Sequence, residues 1–200
     1  MATEIHIAED TASSLVGLRM TAEEFLALPE TKDRYELIDG VVFMSPGATP
    51  RHQFIVAEVF GQLRTYLVAN PIGVVLADVE VRLGSVAGGE EIVYRPDIVF
   101  VERRHLPGSS ERLRATPSLV VEVLSPATRN LDRRTKREDY ERFGVQEYWL
   151  VDPDRKEFTF YRLEKGKYVE AAPQGDSFVS QAVPGFALDL TGVRKTFEPW

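Results

Sequence analysis

The sequence predicts an α/β (α+β) protein, in which a mixed sheet flanked by helices forms a core and hairpins are added on its N-terminal and C-terminal sides. Three observations carry that prediction: a strand, helix, strand run between Ser118 and Asp152, hairpins at 34–44 and 157–170, and an amphipathic helix from about His52 to Ala69.

The strand, helix, strand run comes first because the rest is arranged around it. Leu119-Val-Val-Glu-Val-Leu124 is an apolar, β-branched run of strand length, the pattern of a strand buried on both faces. Glu122 interrupts it. A lone buried carboxylate costs several kcal/mol unless it is paired, protonated or bound to a metal. Glu122 therefore either reaches water at the strand end or has a functional reason to be there. Ser125-Pro126 ends the strand, and a helix follows with Asn130 as N-cap and Gly144 as its stop. Lys136, Tyr140 and Phe143 stand at i, i+4 and i+7, so the lysine shares a face with two aromatic residues. It points at the sheet, or its stem covers apolar surface while its ammonium reaches water. Tyr148-Trp-Leu-Val151, closed by Asp152-Pro153, is a second buried strand. The three elements make a βαβ unit, whose crossover is right-handed in nearly all cases.

Two hundred residues suit one domain with a sizeable core, here residues 18–200 after a lead-in over residues 1–17 that shows no periodicity. Cysteine is absent, which excludes disulfides and any cysteine-based zinc site. The N-terminus lacks a basic start and a long apolar segment, and no later run spans a bilayer, so the expectation is a soluble cytoplasmic protein. The net charge of -7 argues against binding nucleic acid through bulk electrostatics but leaves room for a local basic groove. Arg129, Arg133, Arg134, Lys136 and Arg137 form the densest basic cluster, interleaved with Asp132, Glu138 and Asp139, which reads as a solvated helix face.

The remaining elements follow in order. Thr21 caps a short helix ending at Leu28, with Glu24 completing a capping box. Asp39-Gly40 between Arg34-Tyr-Glu-Leu-Ile38 and Val41-Val-Phe-Met44 signals a hairpin, and spacing alone turns Glu36 to solvent. His52 lies in the first turn of the long helix, where a histidine is most often a surface residue. Val74 to Leu83 reads as one strand, with Asp78, Glu80 and Arg82 on its wet side. Gly84 to Glu91 is a loop. Arg95-Pro-Asp-Ile-Val-Phe-Val101 is the next strand, and Asp97 at its mouth is either a turn aspartate or a site residue. An exposed connection spans 102–117, and the tail turns at Pro184-Gly185.

If the strands carrying Asp97 and Glu122 are neighbours in the right register, the two carboxylates can hold a divalent cation. Magnesium prefers oxygen ligands and keeps several waters, so two carboxylates and a substrate phosphate would suffice. Such an ion generates a hydroxide nucleophile and neutralises charge on phosphoryl oxygens, and a nearby ammonium such as that of Lys136 would stabilise the transition state. The competing reading gives each charge a separate structural explanation.

Pro96-Asp97 followed by Glu122 resembles the PD-(D/E)xK nuclease signature, and the order helix, three strands, helix, strand is similar to that superfamily's restriction-endonuclease-like core. Tyr35-Glu-Leu-Ile-Asp-Gly40, His52, Arg95-Pro-Asp97, Val121-Glu-Val-Leu-Ser-Pro126, Lys136 and Gly144-Val-Gln-Glu-Tyr-Trp-Leu-Val-Asp-Pro153 together resemble the Uma-two family of restriction-endonuclease-like proteins. The resemblance implies a metal-dependent endonuclease that cleaves DNA, with Asp97 and Glu122 as ligands of Mg2+, or of Mn2+ in its place. It also implies Lys136 as catalytic lysine, Glu36 as an accessory acid near the metal, His52 as a further site residue, and a homodimer. One departure matters: two positions after Glu122, where the superfamily has lysine, stands Leu124. The resemblance implies that the lysine has moved to the helix at Lys136. The alternative is a catalytically inactive binding or scaffold protein that keeps the fold.

Overall fold

The computed structural model describes residues 15–29, 33–84, 92–106 and 115–198. Most of the predicted lead-in, nearly all of the predicted loop at 84–91 and the middle of the predicted connection at 102–117 lie outside the described residues. In chain order the elements are α1 (Ala22–Leu26), β1 (Arg34–Ile38), β2 (Val41–Ser45), α2 (Pro50–Ala69), β3 (Gly73–Ala77), β4 (Val81–Gly84), β5 (Ile92–Tyr94) and β6 (Ile98–Glu102). After these come β7 (Leu119–Val123), a π-helical turn (Leu131–Lys136) continued by α3 (Arg137–Arg142), β8 (Glu147–Asp152), β9 (Glu157–Glu164) and β10 (Lys167–Glu170). The tail adds β11 (Ser177–Val179), β12 (Ala187–Asp189) and α4 (Leu190–Lys195).

The chain divides into two compact units, one of residues 1–47 and 82–95, the other of residues 48–81 and 96–200. In the smaller unit β1 and β2 pair antiparallel about Asp39 and Gly40, whose φ angles of 49° and 71° are what a two-residue type I′ turn requires. The sheet runs β2, β1, β5, β4. Ala22 and Phe25 of α1 pack with Tyr35, Leu37, Val42 and Val93, and the helix carries the capping box read from Thr21 and Glu24.

The larger unit holds the mixed sheet, in the order β10, β9, β8, β7, β6, β3. Only β7 and β8 among these are parallel, joined by the helical crossover. Strand alternation assigns the two faces. Leu119, Val121 and Val123 of β7, with Ile98, Phe100, Trp149 and Val151, meet the apolar stripe Ile55, Val56, Val59, Leu63 and Leu67 of α2. Phe178, Phe186, Leu188, Leu190, Val193 and Phe197 from the tail complete that core. The opposite residues of β7 and β8, Glu122 and Tyr148, meet the crossover helix. The β9 to β10 hairpin turns through Lys165 and Gly166, both at positive φ.

Two expectations are corrected. The strand read from Val74 to Leu83 breaks at Asp78, which adopts a left-handed φ of 55°, so that β3 and β4 enter different sheets. Asn130 does not cap the crossover helix: it is helical and makes no capping bond. Ser125 does that work, its hydroxyl accepting from the Thr128 N–H at 3.2 Å while its carbonyl accepts from Arg129, with Pro126 next to it, where proline costs a helix nothing.

Gly73 begins β3 opposite Glu102. A Cβ at this position would overlap the carbonyl oxygen of Val101 and the ring of Phe100. Gly73→Ala is expected to lower stability by about 1–3 kcal/mol, the usual cost of overpacking. A thermal melt superimposable on wild type would show that the edge strand shifts to make room.

Candidate active site

β6 and β7 pair antiparallel with Ile98 opposite Val121, and continuing that register by one residue sets Asp97 opposite Glu122. Both carboxylates are buried, at 7% and 4% exposure, and cross-strand neighbours of this kind have Cβ atoms about 5 Å apart. Asp97 Oδ2 accepts the backbone N–H of Val123 at 2.8 Å and lies 3.1 Å from His52 Nε2. Glu122 Oε2 faces the backbone N–H of Asp97 at 3.4 Å. His52 arrives there because Thr49 caps α2, its hydroxyl accepting the His52 N–H. The histidine thus sits in the first turn, as read from the sequence, with its ring on Asp97 rather than at the surface.

Lys136 points inward. Its Nζ is 3.0 Å from Glu122 Oε1 and 3.3 Å from Asp132 Oδ1, and the lysine is only 3% exposed. The hydroxyl of Tyr140, one turn further along, also approaches Glu122 Oε1 at 3.4 Å. The π-helical turn contributes directly to this placement. A π-turn disturbs the i to i−4 bonding of the helix, and the carbonyl of Asp132 accepts a 3.0 Å bond from the Tyr148 hydroxyl of β8. Full burial, helped by the carboxylates of Asp132 and Glu122, pushes the Tyr148 phenol well above its ordinary range, so it remains a donor.

Asp132 and Tyr140 are neighbours that the sequence reading missed as members of this cluster. Sequence pattern groups Asp132 with a solvated charged face, yet it is 2% exposed. The signal available was its i, i+4 spacing to Lys136, which stacks an acid and a base on one helix face. The spacing of Tyr140 marks it only as an inward-packing aromatic residue.

Glu36 belongs to the smaller unit. It is 1% exposed, which corrects the solvent-facing reading. Its Oε1 accepts the Arg95 N–H at 2.9 Å, and its Oε2 accepts the Ser45 hydroxyl at 3.1 Å. Strand β1 lies between β2 and β5 and is buried on both faces beyond its first residue, so alternation no longer separates wet from dry positions.

Asp97 and Glu122 could hold a cation. Their donors are hard carboxylate oxygens and the sequence has no thiol, a set that favours an oxygen-preferring ion such as magnesium or manganese. Among the described residues no three His, Cys, Asp or Glu side chains are grouped closely enough to hold an ion by themselves. An ion there would therefore take two carboxylates from the chain and the rest of its ligands from elsewhere.

The family model Uma2, described as "Putative restriction endonuclease", matches residues 22–191. The chain belongs to the Uma2 family. The Uma2 match takes in His52, Asp97, Glu122 and Lys136, and Glu36 as well. A solved structure described as a putative nuclease belonging to DUF820 from Anabaena variabilis is similar to this Uma2 chain over 90% of its length and 99% of that chain, with a TM-score of 0.76 and 20% identity. That likeness shows a restriction-endonuclease-like fold. No curated protein matches the chain. Among the described residues no helix is long and apolar enough to cross a membrane.

Proposed function

We propose that the Asp97, Glu122 and Lys136 cluster is the centre of a metal-dependent endonuclease that hydrolyses DNA phosphodiester bonds. The observation that carries the reading is the buried contact of Lys136 Nζ with Glu122 Oε1 at 3.0 Å, made from a helix opposite the strand pair that bears both acids. It supplies an ammonium that the superfamily pattern would put two residues after Glu122. Membership of the Uma2 family supports the same chemistry.

Asp97 and Glu122 would hold Mg2+, or Mn2+ in its place, which when bound would supply Lewis acidity and a water of lowered pKa. The rest is the work of the chain. Val123 N–H and His52 fix the Asp97 carboxylate from one side, so the acid keeps one orientation before any ligand arrives. Glu122 and Asp132 hold the Lys136 ammonium between them. A phosphoryl oxygen or attacking water that enters beside Glu122 then meets a fixed positive charge, which stabilises developing negative charge without rearrangement. The low polarity of the surroundings strengthens that effect, since Val99, Val120 and Leu150 are fully or almost fully buried.

The test is incubation of supercoiled and linear DNA with the protein in magnesium, in manganese and in EDTA. Nicking or cutting in either metal and none in EDTA is the expected result. Intact DNA under all conditions would reject the endonuclease reading in favour of a binding or scaffold protein.

A further inference from the structure

The basic residues of the crossover helix, expected to form a solvated face, are in part a built cluster. Asp152 ends β8 at 1% exposure. The pairing of Glu122 with Leu150 sets Asp152 on the same sheet face as Glu122, one strand over. Arg129 bonds to Asp152 at 3.1 Å and to Asp154 at 2.8 Å, and Arg133 bonds to Asp152 at 3.3 Å. Arg155 gives Asp152 its backbone N–H at 3.2 Å, with its guanidinium 3.9 Å away. From α2, Arg51 bonds to Asp154 at 3.3 Å and to the carbonyls of Pro153 and Phe197.

Four guanidinium groups thus gather around two carboxylates, leaving two positive charges in excess in a chain whose net charge is -7. Acceptors are fewer than donors there: the Nε–H groups of Arg129 and Arg133 are buried without a hydrogen-bond partner. The side chains of Arg51 and Arg155 remain 40% and 58% exposed. Arg129 and Arg133 meet Asp152 while Lys136, on the same helical segment, meets Glu122, so the cluster and the lysine lie over one face of the sheet. Guanidinium groups anchored on one edge by carboxylates keep their orientation, which suits them to phosphate oxygens.

We infer that the cluster of Arg51, Arg129, Arg133 and Arg155 is the surface on which bound DNA rests its phosphate backbone as it leaves the carboxylate pair. The inference rests on the endonuclease reading and adds where the duplex lies. It also resolves the conflict between an acidic chain and an anionic substrate, because attraction then comes from one local surface instead of from net charge.

The experiment is binding of a labelled duplex to the full chain in calcium, followed by anisotropy over a series of salt concentrations. Wild type, Arg51→Gln/Arg155→Gln and a control, Arg194→Gln, are compared after their melting curves are recorded. Each phosphate contact contributes about 0.9 to the slope of log K against log salt. The double variant is expected to lose about 1.8 of slope and roughly tenfold in affinity, while the control keeps both. Should the double variant unfold, Arg155→Gln alone reads a loss of about 0.9. A folded variant with the wild-type slope overturns the arginine surface and leaves the carboxylate centre to the cleavage assay. A wild type that does not bind the duplex overturns both.

Discussion

Lys136→Met should lower the unfolding free energy by about 3–5 kcal/mol, the typical cost of leaving a buried charge without its partner, and should abolish cleavage. Methionine keeps the volume of the stem and removes only the ammonium. That ammonium is 3.0 Å from Glu122 and 3.3 Å from Asp132, all three residues being at most 4% exposed. Its loss leaves two carboxylates facing each other in a medium that screens charge poorly. The cost belongs to the pair, so Glu122→Gln/Lys136→Met should be less destabilised than the sum of the single variants, by about 0.5–3 kcal/mol of coupling. Urea denaturation of the four proteins measures both quantities. A Lys136→Met protein with wild-type stability would mean that the lysine swings out to water and contributes nothing to the centre.

Glu147→Ala should destabilise by a similar amount, about 3–5 kcal/mol, and leave cleavage per folded molecule unchanged. Glu147 is fully buried at the start of β8. It accepts from Arg162 Nε at 3.1 Å, Trp149 Nε1 at 3.2 Å, Ser180 Oγ at 2.7 Å and the Gln181 N–H at 2.9 Å. Arg162 also bonds to the carbonyl of Val179 and stacks on Phe178. The carboxylate therefore ties the tail, with β11, to the central sheet. Alanine leaves a guanidinium and three neutral donors without their acceptor, and an unmade buried bond costs more than a made one gains. An equilibrium melt reads the loss. A loss of cleavage at full folding would show that the tail also shapes the centre.

The sequence was legible where local chemistry decides the outcome. Asp39-Gly40 and Lys165-Gly166 occupy the positive φ values of tight hairpin turns, and the apolar runs at 119–124 and 148–151 form the adjacent parallel strands expected of a βαβ unit. Lys136 turned inward because it shares a helix face with Tyr140. Reading failed where burial depends on what lies across a second face. Glu36 alternates with apolar neighbours as an exposed residue would, yet β1 is internal to its sheet and the acid is buried. Asp78 looked like one more polar residue in an alternating strand, but its left-handed backbone divides two sheets. Asn130 drew the cap assignment from its residue type, while Ser125-Pro126, read only as a strand end, holds the helix N-terminus. The arginine cluster was out of reach for a further reason: Arg51 comes from α2, about 100 residues before Asp154, the acid it meets.

The measurement that tests the account most directly separates metal binding from cleavage in three folded variants. The rise in melting temperature on adding manganese reports the ion through mass action, and cutting of supercoiled DNA reports the chemistry. Asp97→Asn and Glu122→Gln should lose both responses, whereas Lys136→Met should keep a manganese-dependent rise and lose cutting. Cutting retained by Asp97→Asn or Glu122→Gln, or by Lys136→Met, would contradict the assignment of Asp97, Glu122 and Lys136 as the centre.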